Sequence, residues 1–202
     1  GVVVVAGRPN RAQSADATVA AVQRVLEDVP GATVLPALRR GNVVGALLAG
    51  LGPADADHDA LATLRAAAEG RIELLVLLGA DPLADCPDAD LARRALAGAR
   101  RVVSIDTFAS ESTRHADVVL AAAAYGEKAG TTTNLEGRVT DLAHQVTATG
   151  TSRPDWMIAV ELGLLTGLFG ADHPLRGVSN VDDVTTVLAD TVGAFAGITP
   201  AA

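Results

Sequence analysis

Residues 73–106, "ELLVLLGADPLADCPDADLARRALAGARRVVSID", decide the fold class. The stretch begins with an apolar run that ends at Gly79, passes through a helical segment that closes at Gly98, and finishes with a second apolar run. A short apolar run bounded by glycine is typical of a strand buried on both faces. Strand, helix and strand in this order predict a parallel pair joined by a crossover helix, which is the unit of an α/β fold.

The same alternation continues on both sides of this stretch. Earlier strands are predicted in residues 2–7, "VVVVAG", and in residues 32–38, "ATVLPAL". Pro36 lacks a backbone N–H, so the second of these strands is expected at an edge. A later strand is predicted in residues 116–123, "ADVVLAAA". We therefore predict an α/β fold with a doubly wound, mostly parallel, Rossmann-like sheet that has helices on both faces.

The pattern changes near residue 149, where the strands stop. A helix is predicted after Pro154, with Trp156 and Val160 on its apolar side, and Asn180 can cap a final helix. We expect an α/β domain over residues 1–148 and a helical extension over residues 149–202. Trp156 is the largest apolar side chain in the extension, so it is predicted to be the main contact with the domain.

Composition excludes several classes of protein. A formal net charge of −8 argues against a surface that binds a polyanion, so we expect no nucleic-acid partner. The single cysteine excludes an intrachain disulfide framework and a four-cysteine iron–sulfur site within this chain. No apolar run approaches the roughly 18 residues of a membrane helix, so direct membrane insertion is not expected. The chain opens in a strand and without Met, which suggests a fragment of a longer protein.

Common catalytic patterns are missing. Neither a phosphate-cradling loop nor a dinucleotide fingerprint follows any predicted strand. Cys86 is interpreted as a structural thiol, and His115 with Asp117 would give a metal only two ligands. Ser104, Asp106 and His115 could be drawn as a triad, but no nucleophile elbow supports one.

Polar residues follow the predicted strands at their carboxyl ends. These strand-end loops are "GRPN" (7–10), "GADPLAD" (79–85) and "DTFASEST" (106–113). Ligands of open parallel sheets gather at this edge. Asp81 and Asp106 each come just after a predicted inner strand, where a carboxylate can accept hydrogen bonds from a base edge or an amine. They can equally well only cap the turns that follow, and the sequence leaves both interpretations open.

A long polar segment then follows the last predicted strand. Residues 126–142, "GEKAGTTTNLEGRVTDL", read as a loop with little to bury, and they include Lys128, the only lysine. Together with "LVLLGADPLADCPDADLARRAL" and "RRVVSIDTFASESTRHADVVLAAA", in this order and spacing, the segment resembles the molybdopterin oxidoreductase superfamily. Within that superfamily the chain is most similar to the G subunit of bacterial NADH-quinone oxidoreductase, respiratory complex I. "GNVVGALLAGLGP" (41–53) and "RPDWMIAVELG" (153–163) share the resemblance.

The resemblance implies a set of site residues. In molybdenum-dependent relatives the matching loops hold a pyranopterin guanine dinucleotide, and in this chain the matching positions are Gly79, Asp81, Asp106, Thr107, Glu127, Lys128, Asn134, Glu136 and Arg138. In complex I the same domain is a scaffold, and iron–sulfur clusters lie in an N-terminal part of the subunit. Ala121 replaces a family proline and Thr132 a position that is often aromatic. We therefore expect no cofactor in this chain and a vestigial crevice.

The resemblance also implies partners and a location. We expect other domains of the same subunit and other peripheral-arm subunits of complex I, on the cytoplasmic side of the bacterial plasma membrane. The alternative is the cofactor-binding domain of a catalytic molybdopterin oxidoreductase such as a formate dehydrogenase, and a weaker one is a free-standing nucleotide-binding module. The loops at 79–83, 104–108 and 126–138 are expected side by side. Their six charged side chains are predicted to pair with one another or with water: Asp81, Asp106, Glu127, Lys128, Glu136 and Arg138.

Overall fold

A computed structural model describes residues 1–7, 15–38 and 40–199, and the predicted loop at 7–10 lies largely outside them. The strands are β1 (Val3–Ala6), β2 (Thr33–Pro36), β3 (Leu75–Leu78), β4 (Val102–Asp106), β5 (Val118–Ala121), β6 (Gly130–Thr133) and β7 (Val139–Leu142). The α-helices are α1 (Ala15–Asp28), α2 (Val43–Leu48), α3 (Ala60–Ala68), α4 (Pro82–Asp85), α5 (Ala89–Gly98), α6 (Asp155–Leu165) and α7 (Val181–Thr191). Strands and helices alternate as far as β4, and a single 3-10 turn at Ser112–His115 leads on to β5, so the predicted α/β class is confirmed.

The central sheet contains β3, β4 and β5 in that order, all parallel. Leu75 lies opposite Val102, and Val103 lies opposite Val118. All three strands were predicted as apolar runs, and β4, in the middle, is the most buried of them. Parallel strands that are buried on both faces require such continuous apolar sequences.

One face of the central sheet is covered by α3 and α5. The core on this face consists of Leu64, Ala67, Leu75, Leu77, Leu91, Ala95, Leu96 and Val102. The two helices approach each other closely at Gly98, where a Cβ atom would lie 2.4 Å from the carbonyl oxygen of Ala67. Small residues at this crossing let the helices pack over an aliphatic sheet.

The opposite face is covered by α6. Ile158 is 2% exposed and shares a cluster with Ile105 and Ala122. The predicted main contact, Trp156, is only half-buried, because Ile158 and not Trp156 lies on the face of the helix that meets the sheet. The backbone also connects the two elements, since the N–H of Ala123 donates to the carbonyl of Arg153 at 2.8 Å. The division at residue 148 stays a prediction.

The β1–α1–β2 unit forms a second, separate parallel pair. Val3 lies opposite Thr33, and Ala6 lies opposite Pro36. Within the described residues no strand pairing joins β1 or β2 to the central sheet. The sheet is therefore interrupted between the first two strands and the last three, which the sequence pattern did not predict.

The polar segment expected as a loop is a β-hairpin in the structure. Gly130 lies opposite Leu142 and Thr133 opposite Val139, in antiparallel register. Three consecutive threonines form most of β6, and their β-branched side chains favour extended backbone. Gly137, at φ +80°, closes the turn between the strands. The segment was expected to be a loop because it is polar and has little to bury, although its threonines also favour a strand.

Near the C-terminus lies α7, which is capped as predicted. The side chain of Asn180 accepts a hydrogen bond from the N–H of Asp183. Upstream, the ring of Phe169 packs against Gly163 of α6 and stacks on His173 with centroids 4.1 Å apart. Among the described residues, no helix is both long enough and apolar enough to cross a bilayer.

Candidate functional site

A hydrogen bond between Asp81 and Ser112 joins the loops that follow β3 and β4. Gly79 ends β3 in the left-handed region at φ +57° and donates its N–H to the carbonyl of Ile105. The chain then turns into α4, where the carboxylate of Asp81 accepts from the N–H of Ala84 at 3.3 Å. The same carboxylate oxygen accepts from the hydroxyl of Ser112 at 2.5 Å. The two loops that were predicted to be neighbours therefore meet through these side chains.

Ser112 also stabilises the start of α4. Its hydroxyl accepts from the N–H of Leu83 at 3.1 Å while it donates to Asp81. The Ser112 side chain is fully buried, whereas its partners Asp81 and Leu83 are partly exposed. Buried polar groups persist in proteins when they are hydrogen-bonded in this way. The Asp81 carboxylate is fixed by its own protein before any ligand arrives.

Asp106 and Thr107 lie at the carboxyl end of β4. One oxygen of Asp106 accepts from the N–H of Phe108 at 3.2 Å, which is the turn-capping role left open by the sequence. Thr107 is exposed, and the neighbouring Phe108 is 78% exposed. This loop therefore directs polar and aromatic groups outward.

Glu127 and Lys128 stand where the chain enters the hairpin. The Glu127 carboxylate accepts from the N–H of Ala124 at 2.8 Å. The Nζ of Lys128 lies 2.6 Å from an oxygen of Asp155, the first residue of α6. Lys128 is thus paired with a residue outside the predicted set, and its charge stabilises the contact between hairpin and helix.

The hairpin tip holds the remaining predicted residues. The side-chain oxygen of Asn134 accepts from the N–H groups of Glu136 and Arg138, both at 2.9 Å. The guanidinium of Arg138 lies 4.0 Å from the Glu136 carboxylate, and both side chains are 76% exposed. Within the described residues this is the one ion pair formed inside the predicted charged set. The tip is a self-contained turn.

Two clefts adjoin these residues. One, of about 630 Å³, runs along β3 and is lined by Leu75, Val76 and Leu77, by Leu61 and Leu64 of α3, and by Asp81 at one end. We call it the β3 cleft. The other, of about 730 Å³, lies between the hairpin and residues 40–42, with Arg40, Asn42, Lys128 and the threonines of β6 in its walls. We call it the hairpin cleft.

Three important residues escaped sequence reasoning: Ser112, Asn42 and Asp155. Asn42 adopts the left-handed conformation at φ +58°, and its side-chain oxygen accepts from the N–H of Thr133 at 2.8 Å. Gly45 leaves room for this contact, since a Cβ there would lie 2.1 Å from the same oxygen. The pair Gly41–Asn42 was a usable signal, because asparagine tolerates the left-handed region better than most residues.

The structure does not support a catalytic triad or a metal site at the other residues considered from the sequence. Among the described residues, the buried hydroxyl of Ser104 has no hydrogen-bond partner, so it forms no triad with Asp106 and His115. Asp117 accepts from the N–H of Val102 at 2.7 Å at the start of β4. In the described part of the chain, no group of three metal-ligating side chains comes together. Cys86 is a free, half-buried thiol.

This α/β scaffold, with its polar groups at the carboxyl ends of the strands, has recognisable relatives. The molybdopterin oxidoreductase model matches residues 2–164, and the chain belongs to that family. The match includes the central sheet, the hairpin and nearly all of α6. The resemblance seen in the sequence is therefore confirmed for most of the chain.

Particular relatives match shorter segments. Subunit alpha of the NADPH-Fe(3+) oxidoreductase of Geobacter sulfurreducens is 37% identical over 116 residues, which is 57% of this chain and 14% of that protein. The G subunit of the NADH-quinone oxidoreductase of Streptomyces coelicolor is 47% identical over 76 residues, 38% of this chain and 9% of that protein. Subunit alpha of the F420-dependent formate dehydrogenase 2 of Methanococcus maripaludis is 32% identical over 128 residues, 63% of this chain and 18% of that protein. The chain spans less than a fifth of each of these relatives.

The family implies a pterin cofactor, and the described residues do not fit its pyrophosphate as they are arranged. Lys128 is paired with Asp155, and Arg138 with Glu136. Arg40, in the wall of the hairpin cleft, lies 3.6 Å from Asp85. Each of these cations already has a carboxylate partner, and a buried phosphate needs compensating positive charge.

Proposed function

We propose that this chain is a domain of the G subunit of an NADH-quinone oxidoreductase of the complex I type. In this role it supports electron transfer from NADH to quinone as a scaffold, with a vestigial cofactor crevice, and it does no chemistry by itself. Two relatives named as this subunit support the assignment, at 41% and 47% identity over 86 and 76 residues. The structure contributes a separate argument from hydrogen bonding.

The observation that carries the proposal is the commitment of the crevice residues to partners in their own chain. Asp81 accepts from Ser112, Asp106 accepts from the N–H of Phe108, and Asn134 accepts from two backbone N–H groups. A guanine edge that used the same oxygens would have to displace these contacts, and a phosphate that bound Lys128 would have to compete with Asp155. A ligand that replaces one of these hydrogen bonds gains little net free energy, because it exchanges one hydrogen bond for another and each contributes only about 0.5–1.5 kcal/mol.

Calorimetric titration of the chain with a guanine nucleotide tests the scaffold role. We expect no heat of binding at micromolar nucleotide. Micromolar binding that is lost in Asp106→Ala, but kept in Asp190→Ala on exposed α7, would overturn the proposal. The Asp190 variant removes the same charge from an exposed position of α7, outside the strand-end loops, so it controls for a general effect of net charge.

The second candidate is the cofactor-binding domain of a catalytic molybdopterin oxidoreductase. It is favoured by the likeness to the formate dehydrogenase subunit and by the hairpin cleft, whose walls carry cations and hydroxyls. The same titration separates the candidates, because this one requires nucleotide binding that depends on Asp106 and Lys128. A Lys128→Met variant that loses binding while remaining folded would support it.

The proposed partners follow from the scaffold role. They are other domains of the same subunit and other peripheral-arm subunits, on the cytoplasmic side of the membrane, with iron–sulfur clusters held elsewhere in the subunit. Affinity purification of the tagged full-length subunit from its own host should bring down the other peripheral-arm subunits. Recovery with a molybdenum-containing catalytic complex instead would contradict the assignment.

A further inference from the structure

The apolar stripe of α6 continues beyond the sheet that the helix covers. Ile158, Leu162 and Leu165 are spaced by four and three residues, so they lie on one side of the helix. Ile158 is 2% exposed, Leu162 is partly buried against the same cluster, and Leu165 is 84% exposed. The last turn of α6 therefore carries the stripe past the core and into solvent.

Two more leucines are exposed near Leu165. Leu164 is 39% exposed, and Leu168, just after the helix, is 76% exposed. We call Leu164, Leu165 and Leu168 the α6 leucine patch. Single exposed apolar residues are normal on a protein surface, whereas neighbouring ones mark an interaction site. The molybdopterin oxidoreductase match ends at residue 164, so two of the three leucines lie beyond the matched part of the chain.

The turn that presents the patch is fixed to the helix. The ring of Phe169 lies over Gly163, where a Cβ would clash with it, and the N–H of Phe169 donates to the carbonyl of Gly163 at 3.1 Å. The guanidinium of Arg176 donates to the carbonyl of Phe169, also at 3.1 Å. Phe169 thus faces the helix and the neighbouring Leu168 is left exposed. A surface held in this way loses little conformational freedom when a partner binds.

The part of the chain that carries the patch is acidic. Residues 154–199 contain six carboxylates and one guanidinium: Asp155, Glu161, Asp172, Asp182, Asp183, Asp190 and Arg176. Lys128 pairs with Asp155 and Arg153 pairs with Glu161, which leaves four carboxylates against Arg176. The turn at Pro174–Gly177 contacts both α6 and α7, so these charges belong to one packed unit. The last turn of α6 also has no basic residue to complement the negative end of the helix.

We propose that the α6 leucine patch binds a basic amphipathic helix of a partner protein. The apolar face of that helix covers the leucines, and its lysines or arginines face the carboxylates of residues 172–190. Charge decides between this occupant and two others. A second copy of the chain would bring two acidic units together, and like charges across an interface cost free energy. An anionic lipid surface would repel the same carboxylates.

Titration of the whole chain with two synthetic peptides, followed by NMR, tests this binding. Both peptides form amphipathic helices with leucine on one face, and the other face carries lysine in one peptide and glutamate in the other. We expect the lysine peptide to bind and to shift the amide signals of residues 164–168. Its affinity should fall as salt is raised, because part of the attraction is electrostatic. The glutamate peptide should not bind. The test does not depend on the proposed function, since it uses only this surface and its charge.

A double variant locates the binding surface. Leu165→Ser combined with Leu168→Ser should weaken binding of the lysine peptide by at least on the order of 10-fold, because two apolar side chains no longer become buried. Leu51→Ser is the matched control, since Leu51 is 73% exposed and precedes the acidic stretch at 55–59. It should leave the affinity unchanged. All three side chains are exposed, so circular dichroism and Tm should match those of the unmodified chain.

The outcomes are separable. No binding of the lysine peptide, equal binding of both peptides, or an affinity that survives loss of the two leucines would overturn the proposal. A mass that doubles with concentration, and no longer does so in the double variant, would assign the patch to a second copy and also overturn it. Leucine-dependent co-sedimentation with phosphatidylglycerol vesicles would assign the patch to lipid, with the same result. A photo-crosslinker at position 165 of the full-length protein in its host should capture a lysine- or arginine-rich peptide of another protein, and capture of an acidic peptide would contradict the proposal.

Discussion

The ammonium nitrogen of Lys128 lies 2.6 Å from a carboxylate oxygen of Asp155, joining the entry of the hairpin to the first turn of α6. The other oxygen of Asp155 is buried and has no hydrogen-bond partner in the part of the chain that the structure describes. The lysine is therefore the side chain that compensates this carboxylate. The N-terminal turn of a helix also favours a negative charge, which places Asp155 well.

Removing the lysine is expected to destabilise the chain. Lys128→Met should lower the free energy of unfolding by about 1–2 kcal/mol, less than for a fully buried pair because both side chains are partly exposed. Arg138→Met is the matched control, since its pair at 4.0 Å is largely exposed and should change stability by less than about 0.5 kcal/mol. Urea unfolding measures both. Equal losses of unfolding free energy in the two variants would show that the Lys128–Asp155 pair stabilises the fold no more than an exposed ion pair does.

Asn42 is expected to act through both its backbone conformation and its side chain. Asn42→Ala places a Cβ in the left-handed region and leaves the buried N–H of Thr133 without its acceptor, at a combined cost of roughly 2–4 kcal/mol. Asn42→Gly loses only the hydrogen bond and should cost about half as much. Chemical unfolding of the two variants separates the contributions. A glycine variant as unstable as the alanine variant would mean that the backbone conformation carries no cost.

Gly98 permits the closest approach of α3 and α5. Gly98→Ala puts a methyl group 2.4 Å from the carbonyl oxygen of Ala67, so the helices must move apart. We expect a loss of about 1–3 kcal/mol. Gly130→Ala is the control, because no atom of the described residues lies within 4 Å of its Cβ position in β6. Thermal unfolding should show a marked drop in Tm for Gly98→Ala and little change for the control.

Acid should weaken the cap of α7. Hydrogen bonds to Asp183, first from the backbone N–H of Ser179 and then from its hydroxyl, lower the pKa of this carboxyl below its ordinary value of 3.8. Because the pKa of Asp183 is lower in the folded state, the stabilisation by its carboxylate is fully present above pH 3.8. This stabilisation is lost as the pH falls through the pKa of the folded state. The stability difference between the unmodified chain and Asp183→Asn should be constant from neutral pH down to this region and shrink below it. A difference that grows with acid would contradict this sign.

The strands of the central sheet could be predicted because each is a short apolar run closed by glycine or a polar turn. β6 could not be recognised as readily, since its threonines suit a strand and a polar loop alike, and the resemblance favoured the loop. The pairing partners of the candidate residues were out of reach for a different reason. Ser112 is 31 positions from Asp81, and Asp155 is 27 from Lys128, so only the fold brings each pair together.

The interruption between β2 and β3 was not predictable either. Apolar periodicity reports that a strand has two faces to bury, but it does not say which edge the strand meets. Val3 and Val76 read as interior residues and are both substantially exposed in the structure. The domain boundary at residue 148 and the role of the nine candidate residues stay predictions. The local sequence pattern does not determine which distant residues contact each other.

Trp156, half-buried on α6 beside Asp155, is the one tryptophan of the chain. Its emission therefore comes from a single place, the first turn of α6, next to the residue that pairs with Lys128. Far-ultraviolet circular dichroism follows the helices and strands of the entire chain. If emission shifts to longer wavelength before the dichroism signal is lost, the first turn of α6 becomes exposed to water before the helices and strands unfold, and the unlabelled protein reports the order of its own unfolding.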